Sequence, residues 1–296
     1  MTLAEFIYTV VLKPRPLKKA VNWLILSLVR KAVNIGPAIV HLNPRDPVVS
    51  GALSLGVFER RELAFFARSC KAGMTVIDVG ANVGIYTASA MHLVKGSGVV
   101  VAFEPHPESR QYLLRTVDAN AKRLAPTGAP RVHVRDTAAA SSDGVARLFV
   151  NPDNKGDNRL YTSELTPETG ALEIRKRTID ASLQDLGISS ADYLKLDVQG
   201  YEFDAVLGAR RTIENSERMI ILSEFWPEGL RRASGQHASA YLQFLTTLGF
   251  KIYELKSDQL RLLSGPSDFD LLISRLKGRK YTNIVCLKAI SLESMN

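Results

Sequence analysis

The sequence of 296 residues predicts an α/β protein whose core is a doubly wound, mostly parallel sheet. Two observations support this fold class. Short apolar runs typical of buried strands alternate with helical patterns from about residue 48 onward. A glycine-bearing turn also joins one of these runs directly to a helical segment. The predicted strands are Thr75–Val79, Val99–Phe103, Arg131–Arg135, Tyr193–Val198, Met219–Ser223, Lys251–Leu255 and Asn283–Lys288.

Helical patterns lie between these strands, as a doubly wound sheet requires. They are predicted at Glu59–Arg68, Ile85–Val94, Glu108–Leu124 and Ser239–Leu248. A turn at residues 141–144 leads into a hairpin arm, Val145–Val150. The polar segment 151–158 that follows is rich in turn residues, so we expect an active-site flap or a surface loop there.

The N-terminal segment has a different character from the rest of the chain. Leu17–Val33 is predicted as an amphipathic helix, with Pro16 before it and Gly36–Pro37 after it. Residues 1–50 carry a net charge of +5, out of +8 for the whole chain. The helix either packs on the main domain, which we favour, or rests on an anionic membrane surface. We therefore divide the chain into a basic helical extension, 1–47, and a main domain, 48–296.

Composition excludes several classes of protein. No segment approaches the roughly 20 apolar residues that a membrane-spanning helix needs, and no clear signal peptide is present. Two cysteines, Cys70 and Cys286, are too few for a disulfide framework or a zinc cluster. Outside the N-terminal segment charges are nearly balanced, so a nucleic-acid-binding face is not expected. We predict a cytoplasmic protein, with membrane-surface contact through residues 17–33 left open.

The most informative motif is the turn after the first predicted strand, residues 76–84. Gly80 allows the backbone to turn and approach a ligand, and Gly84 allows the next helix to pack closely on the strand. The spacing Asp-x-Gly-x-x-x-Gly lacks the third glycine of a dinucleotide-binding loop. Asp78 would repel a phosphate but suits the ammonium group of a methionine-type ligand. This pattern indicates S-adenosylmethionine rather than NAD.

A second carboxylate strengthens this interpretation. Glu104 ends the next strand, 26 residues beyond Asp78. This separation is typical of an acid that reaches ribose hydroxyls after a strand–helix–strand unit. A carboxylate can accept hydrogen bonds from both cis hydroxyls at once.

The third constellation is the segment Asp192–Glu202. Lys195 and Asp197 are two residues apart on a predicted strand, so they share one face of the sheet. Asp197 stands at the carboxyl end of that strand, where ligands of doubly wound sheets bind. A charged pair in a buried strand is costly, which favours a functional role for Asp197. Glu202 falls in a first helical turn, where the helix dipole alone can explain it.

With these motifs in place, the sequence resembles the FkbM family of S-adenosylmethionine-dependent methyltransferases. The matching stretches are VIDVGANVGIYT (76–87), VVAFEPHPE (100–108), TIDASL (178–183), DYLKLDVQGYEFDAVLGA (192–209) and ILSEFWP (221–227). Many relatives carry Glu where this chain has Gln199. The resemblance implies a class I methyltransferase fold, Rossmann-like, with seven strands of which the last is antiparallel.

The resemblance also implies positions for the site residues. Asp78, Gly80, Asn82 and Gly84 would form the cofactor loop, and Glu104 would hold the ribose. Asp136 and Thr137 follow the third strand, where adenine contacts usually lie in this fold.

Transfer of a methyl group to an alcohol also requires a general base. Asp197 is the first candidate and Glu224 the second, with Lys195 and His106 as further catalytic candidates. Asp197 and Glu224 could instead hold a divalent cation, which we do not favour, so no metal site is predicted.

Three function classes remain at this point. The favoured one is O-methylation of a hydroxyl on a sugar, glycan or secondary metabolite, with a small molecule or glycan as the partner. The second is methyl transfer to an amine or to a lipid-linked acceptor. The third is a nucleotide-binding oxidoreductase or a non-catalytic binding module. The missing third glycine argues against an oxidoreductase, and the presence of both Glu104 and Asp197 argues against a module without activity.

Overall fold

The computed structural model describes residues 24–151, 154, 156–161, 171–256 and 259–293. The strands are β1 (Ala32–Ile35), β2 (Ala38–His41), β3 (Thr75–Val79), β4 (Val99–Phe103), β5 (Arg131–Arg135), β6 (Ala138–Ala139), β7 (Gly144–Phe149), β8 (Ala171–Arg177), β9 (Tyr193–Leu196), β10 (Met219–Phe225), β11 (Lys251–Lys256), β12 (Gln259–Leu263) and β13 (Thr282–Lys288). The helices are α1 (Val49–Ser54), α2 (Arg60–Ser69), α3 (Ile85–Val94), α4 (Pro107–Leu124), α5 (Ile179–Gln184), α6 (Glu202–Leu207), α7 (Arg210–Asn215), α8 (Pro227–Ser234), α9 (Ser239–Thr247) and α10 (Pro266–Arg275).

The main sheet contains eight strands in the order β12-β11-β13-β10-β9-β3-β4-β5. Neighbouring strands from β10 to β5 are parallel, and β13 runs antiparallel between β10 and β11. This confirms the predicted doubly wound sheet, with the last strand of the chain antiparallel. The eighth strand, β12, was not predicted. It pairs only with β11, across residues 257–258, as a hairpin arm at the edge of the sheet.

Apolar side chains cover both faces of the sheet because successive residues of a strand point to opposite sides. Ile77, Val101 and Leu194 belong to the layer beneath α5, α6 and α7. Their neighbours Val76, Val100 and Tyr193 belong to the layer on the other face, with α2 and α3. Buried on both faces, these strands are nearly continuous apolar runs, which is why the sequence predicts them well.

The predicted helix Leu17–Val33 is wrong at its C-terminal end. Residues 24–28 are helical, but β1 begins at Ala32 and pairs with β2 as a hairpin. The first 23 residues of the chain lie outside the described residues. Beta-branched residues before Gly36 favour strand β1. Helix α4 holds its hairpin partner β2, where Asn120 Oδ1 accepts from the Ile39 N–H at 3.0 Å. Val40 and Leu42 are buried in the same apolar layer as Val76.

The predicted hairpin arm is confirmed, because β7 pairs antiparallel with β8. Strand β6 runs parallel to β8, so the three strands form a small separate sheet. It leaves the main sheet at the carboxyl end of β5. None of the helices in the described part of the chain has both the length and the apolar character to cross a membrane.

The loops after β3 and β9 approach each other closely at Gly80. The Asp197 N–H donates to the Val79 carbonyl at 3.1 Å. A Cβ atom on Gly80 would lie 2.0 Å from the Asp197 carbonyl oxygen, and the φ of Gly80 is +80°. Only glycine fits this contact, so its role is steric as well as conformational.

We expect Gly80→Ala to destabilise the fold far more than Gly187→Ala. Gly187 also has a positive φ, +69°, but nothing lies within 4 Å of its Cβ position. The control variant Gly187→Ala should therefore lose about 1–2 kcal/mol of free energy of unfolding, because a residue with a Cβ is unfavourable in a left-handed backbone conformation. Gly80→Ala adds overpacking, about 1–3 kcal/mol more. Chemical denaturation measures both free energies of unfolding, and equal losses would contradict the steric argument.

Candidate functional site

The turn after β3 is held against the end of β4 by backbone hydrogen bonds. The N–H groups of Gly80 and Ala81 donate to the Phe103 carbonyl at 3.1 and 3.0 Å. Gly84 has a φ of +91°, and its Cβ would meet Leu113 Cδ1 of α4 at 2.7 Å. The expected close packing at Gly84 is therefore made with α4 rather than with the strand. The result is a rigid loop at the carboxyl edge of the sheet.

Glu104 lies beside this loop with both oxygens already oriented. Its Oε2 accepts from the Asn82 N–H and its Oε1 from the His106 N–H, each at 2.8 Å. Burial raises the pKa of Glu104 to about 7, against the lowering effect of these hydrogen bonds. Each carboxylate oxygen can accept a second hydrogen bond. The carboxylate is therefore pre-positioned to receive further donors.

His106, a candidate base, stands at the start of α4 and caps it. Its Nδ1 accepts from the Ser109 N–H at 3.3 Å and lies 3.1 Å from Ser109 Oγ. Capping the helix explains why this histidine is buried. Its role as a base stays a prediction.

Asp78 and Lys195 are register partners on the adjacent strands β3 and β9. Asp78 is buried, and Thr87 Oγ1 donates to its Oδ2 at 2.6 Å. Burial raises the pKa of Asp78 to about 6, while Thr87 and then Lys195 lower it. The Asp78 carboxylate is thus fixed between α3 and the lysine rather than exposed to solvent.

Lys195 is the central cation of the site. Its Nζ lies 3.8 Å from Asp197 Oδ2 and 4.8 Å from the centre of the Tyr86 ring. Burial lowers the pKa of Lys195, yet the nearby carboxyl groups outweigh burial and raise it above its usual value. In order of effect, these groups belong to Asp197, Glu59, Asp78 and Glu224. Lys195 therefore remains an ammonium ion, which makes it a counter-ion rather than a base.

The two main candidate bases are joined by one amide. Gln199 Nε2 donates to Asp197 Oδ1 at 2.8 Å and lies 3.5 Å from Glu224 Oε1. Burial and the neighbouring Asp197 raise the pKa of Glu224 well above its usual value, which favours its protonated form. The Asp197 side chain is 27% exposed, against 9% for the residue Glu224 as a whole. Asp197 is therefore the more accessible carboxyl group of the pair.

Sequence reasoning missed Glu59, which completes the carboxylate cluster. It precedes α2 in a left-handed conformation (φ 37°, ψ 42°), and its side chain does not cap the helix. Instead Glu59 Oε2 accepts from the Tyr86 hydroxyl at 2.6 Å. Burial raises the pKa of Glu59 to about 7, although Lys195 lowers it. A glutamate at a helix N-cap is unusual, and this was the available signal.

The end of the predicted flap, 151–158, and the residues that follow it, 159–161, lie against both loops. Tyr161 donates its hydroxyl to the Gln199 carbonyl at 2.9 Å, and Asn82 Nδ2 lies 3.5 Å from the Cβ position of Gly156. Arg159 is buried, pairs with Asp157 at 2.6 Å, and stacks on Trp226 at 4.7 Å. These contacts bring residues 156–161 across the site.

The residues predicted to contact adenine lie at the end of β5. Asp136 is exposed, and its Oδ2 pairs with Arg175 Nη2 at 2.6 Å. Thr137 is buried, and its Oγ1 has no hydrogen-bond partner within the described residues. Contact of these two residues with adenine stays a prediction.

Glu104, Asn82 and Gly80 fit the nucleoside part of a cofactor. The Oδ1 of Asn82 is buried and has no hydrogen-bond partner in the described part of the chain. The two oxygens of Glu104 are aligned beside it. The backbone at Gly80 leaves no room for a side chain. Within the same residues, no group of three or more His, Cys, Asp or Glu side chains is arranged to hold a metal ion.

Residues 78–252 match the Methyltransferase FkbM domain, which is more than half of the chain. The chain belongs to this family. The matched region contains the loop at Gly80, Glu104, Asp197 and Glu224.

Among curated proteins, the AMB antimetabolite synthetase AmbE of Pseudomonas aeruginosa is 27% identical to this FkbM-family chain over 218 residues. The match covers 62% of this chain but 10% of that protein, so the chain spans about a tenth of its relative.

Among solved structures, a methyltransferase FkbM from Methylobacillus flagellatus KT has a TM-score of 0.43 and 13% identity. The match covers 92% of this chain and 60% of that one. Aeropyrum pernix fibrillarin, solved with natively bound S-adenosyl-L-methionine, has a TM-score of 0.40 and 13% identity. That match covers 74% of this chain and 68% of the other. The family assignment rests on the sequence match.

The raised pKa of Glu104 predicts how stability changes with pH. The folded value, about 7, exceeds the ordinary value of 4.5, so between these limits the folded protein binds more protons than the unfolded chain. The contribution of this carboxyl is therefore complete below about pH 4.5 and is lost as the pH rises through 7.

Glu104→Gln removes this titration. The free energy of unfolding of the wild type, relative to the variant, should fall by about 1–3 kcal/mol between pH 5.5 and pH 8. Denaturation of both proteins at both pH values measures this difference. If the difference in free energy of unfolding between wild type and variant is the same at both pH values, folding does not raise the pKa of Glu104.

Proposed function

We propose that this protein transfers a methyl group from S-adenosylmethionine to a hydroxyl group of a sugar, glycan or secondary metabolite. The proposal rests on the accessibility of Asp197 and on its contacts. It is the accessible member of a buried carboxylate cluster, held by the Lys195 ammonium and the Gln199 amide. A carboxylate fixed in this way at the carboxyl end of a strand is suited to accept a proton.

Glu104 and Asn82 are the residues that would hold the adenosine part of the donor. Glu104 can accept hydrogen bonds from ribose hydroxyls while its two backbone donors keep it in place. The unpartnered Oδ1 of Asn82 offers one further acceptor. The donor supplies an electrophilic methyl group on a sulfonium, which departs as a neutral thioether.

The protein must also activate the acceptor hydroxyl for attack on the methyl group. Asp197 would take its proton, and Lys195 would balance the charge of the carboxylate before that step. Glu224 favours its protonated form and so adds little negative charge beside Asp197. Arg159 of the segment 156–161 and Trp226, on which it stacks, are both buried, which limits access of water. Positioning and desolvation thus do much of the catalytic work.

A lipid-linked acceptor is the second candidate, and one observation favours it. Leu24 and Leu28 lie one helical turn apart and are 54% and 57% exposed. The basic residues Arg30 and Lys31 follow them directly. An exposed apolar pair beside positive charge suits the surface of an anionic membrane.

Calorimetric titration with S-adenosylhomocysteine tests the cofactor first. We expect micromolar binding, and no binding of NAD. Glu104→Ala should weaken the binding by about 1–3 kcal/mol through loss of charge-assisted hydrogen bonds. Glu214→Ala, an exposed acid on α7, is the matched control and should bind like the wild type. Binding of NAD in place of S-adenosylhomocysteine would overturn the proposal.

Asp197→Asn separates binding from chemistry. We expect unchanged affinity for S-adenosylhomocysteine and a turnover reduced by about 100-fold or more, since general-base catalysis contributes this much. Methyl transfer from labelled donor to a panel of sugars and glycans measures turnover. Asp118→Asn, an exposed acid on α4, controls for charge. If Asp197→Asn loses cofactor affinity but keeps turnover per bound cofactor, Asp197 is a binding residue and not the base.

Sedimentation with phosphatidylserine-containing vesicles tests the lipid-linked acceptor. The double variant Leu24→Asp/Leu28→Asp should pellet less than the wild type, because it places charge on the apolar pair. Leu114→Asp changes a leucine of similar exposure on α4 and should pellet like the wild type. Equal pelleting of all three proteins would reject the membrane contact.

A further inference from the structure

A cavity lies at the edge of the main sheet, where β5 meets the small sheet. Its volume is about 290 Å³, near the lower limit for sites that bind small molecules. Arg135, Asp136 and Thr137 line it from the end of β5, and Ser182 of α5 closes one side. The rest of the lining comes from β7, β8 and the turn before β7.

The charge in this cavity is predominantly positive. Four basic side chains line it, against two acidic ones: Arg135, Arg175, Lys176 and Arg177 face Asp136 and Asp143. The two carboxylates are already engaged, since Asp136 pairs with Arg175 at 2.6 Å and Asp143 with Arg177 at 3.6 Å. Within the described residues, Arg135 and Lys176 have no carboxylate within 4.0 Å, and Lys176 Nζ donates to Ser142 Oγ. The described lining of the cavity therefore has a net positive charge.

Two buried donors in the lining also lack acceptors. Thr137 is 8% exposed, and its hydroxyl has no hydrogen-bond partner in the described part of the chain. The same is true of Arg135 Nε, although Arg135 Nη2 donates to the Ser182 carbonyl at 3.0 Å. A buried polar group without a partner destabilises a fold. Two such donors beside one positively charged cavity therefore indicate a missing acceptor.

The effect of this charge extends to neighbouring residues. His133 lies two residues before Arg135 on the same face of β5, and burial, then Arg135 and Arg131, lower its pKa. Arg175 and Arg110 together outweigh burial and lower the pKa of Asp136. The positive charge of neighbouring arginines therefore contributes to both shifts, after burial in the case of His133.

We propose that this cavity binds the phosphate group of a small molecule, held by Arg135 and Thr137. Guanidinium groups and hydroxyls are the usual partners of phosphate oxygens, and arginine can bind two of them at once. The cavity has room for more than an inorganic ion, so the phosphate is carried on a larger molecule. The site adjoins Glu104, whose N–H donates to the Arg135 carbonyl at 3.0 Å. The proposal assigns Thr137 to phosphate in place of the predicted adenine contact, and its test does not depend on methyl transfer.

Thermal unfolding and calorimetry of the full chain test the proposal, with inorganic phosphate and ribose 5-phosphate as probes in a chloride buffer. Both should bind the wild type saturably and raise its melting temperature. Arg135→Gln should weaken binding about tenfold or more by removing the charge. Arg131→Gln, on the exposed start of the same strand, is the matched control and should bind like the wild type.

Thr137→Val distinguishes a ligand site from a structural role. Replacing the unpartnered hydroxyl by a methyl group should leave the ligand-free protein equally or more stable. The same variant should lose at least half of the stabilisation by phosphate. A fall in the stability of the ligand-free variant, with phosphate binding unchanged, would assign the hydroxyl a structural role and overturn the proposal.

Saturating S-adenosylhomocysteine provides the last test. Binding of both phosphate probes should be unaffected by it. If it abolishes their binding, the cavity belongs to the cofactor site and the proposal fails. Failure of phosphate to bind any of the proteins would also overturn it, whatever acceptor the enzyme methylates.

Discussion

The close approach of two loops at Gly80 and Asp197 is the constraint on which the site depends. Parallel strands β3 and β9 end side by side, and the Asp197 N–H donates to the Val79 carbonyl at 3.1 Å. The cofactor loop and the carboxylate proposed to be the base are therefore fixed to each other by backbone atoms. A side chain at Gly80 would separate them, because its Cβ would lie 2.0 Å from the Asp197 carbonyl oxygen. The distance between donor loop and base is thus set by the sheet itself.

Charge balance is the second organising feature. The Lys195 ammonium group lies near four carboxyl groups, each of which raises its pKa: those of Asp197, Glu59, Asp78 and Glu224. They cannot all be ionised at neutral pH in a buried site, so some retain protons. Burial and neighbouring charge favour protonation of Glu224. The Lys195 ammonium lies against the more accessible carboxyl group, with its Nζ 3.8 Å from Asp197 Oδ2.

Much of the fold was predictable because central strands such as β3 and β4 are buried on both faces and mostly apolar, and both have the predicted limits. Prediction failed where tertiary contacts decide the structure. Residues 32 and 33 end the predicted helical pattern, but pairing with β2 makes them part of the strand β1. Likewise, Glu59 is 138 residues from Asp197 in sequence, and only the packing of α2 against α3 connects them through Tyr86. The sequence could not show that Gln199 joins two carboxyl groups, because Asp197 follows β9 whereas Glu224 lies 25 residues beyond Gln199, on β10.

The backbone gives independent support for the position of this site. Among the described residues, five non-glycine residues have a positive φ: Glu59, Asn82, Lys95, Gln199 and Ala289. Three of them contribute atoms to the group built around Glu104, Tyr86 and Asp197. Such conformations are unfavourable for residues with a Cβ and persist only where surrounding contacts enforce them. Because these three residues lie in separate loops, the surrounding structure must hold each one independently. Glycine would relieve this strain at Glu59 and Gln199 but would lose the side-chain hydrogen bonds to Tyr86 and Asp197, which indicates that these two side chains are needed.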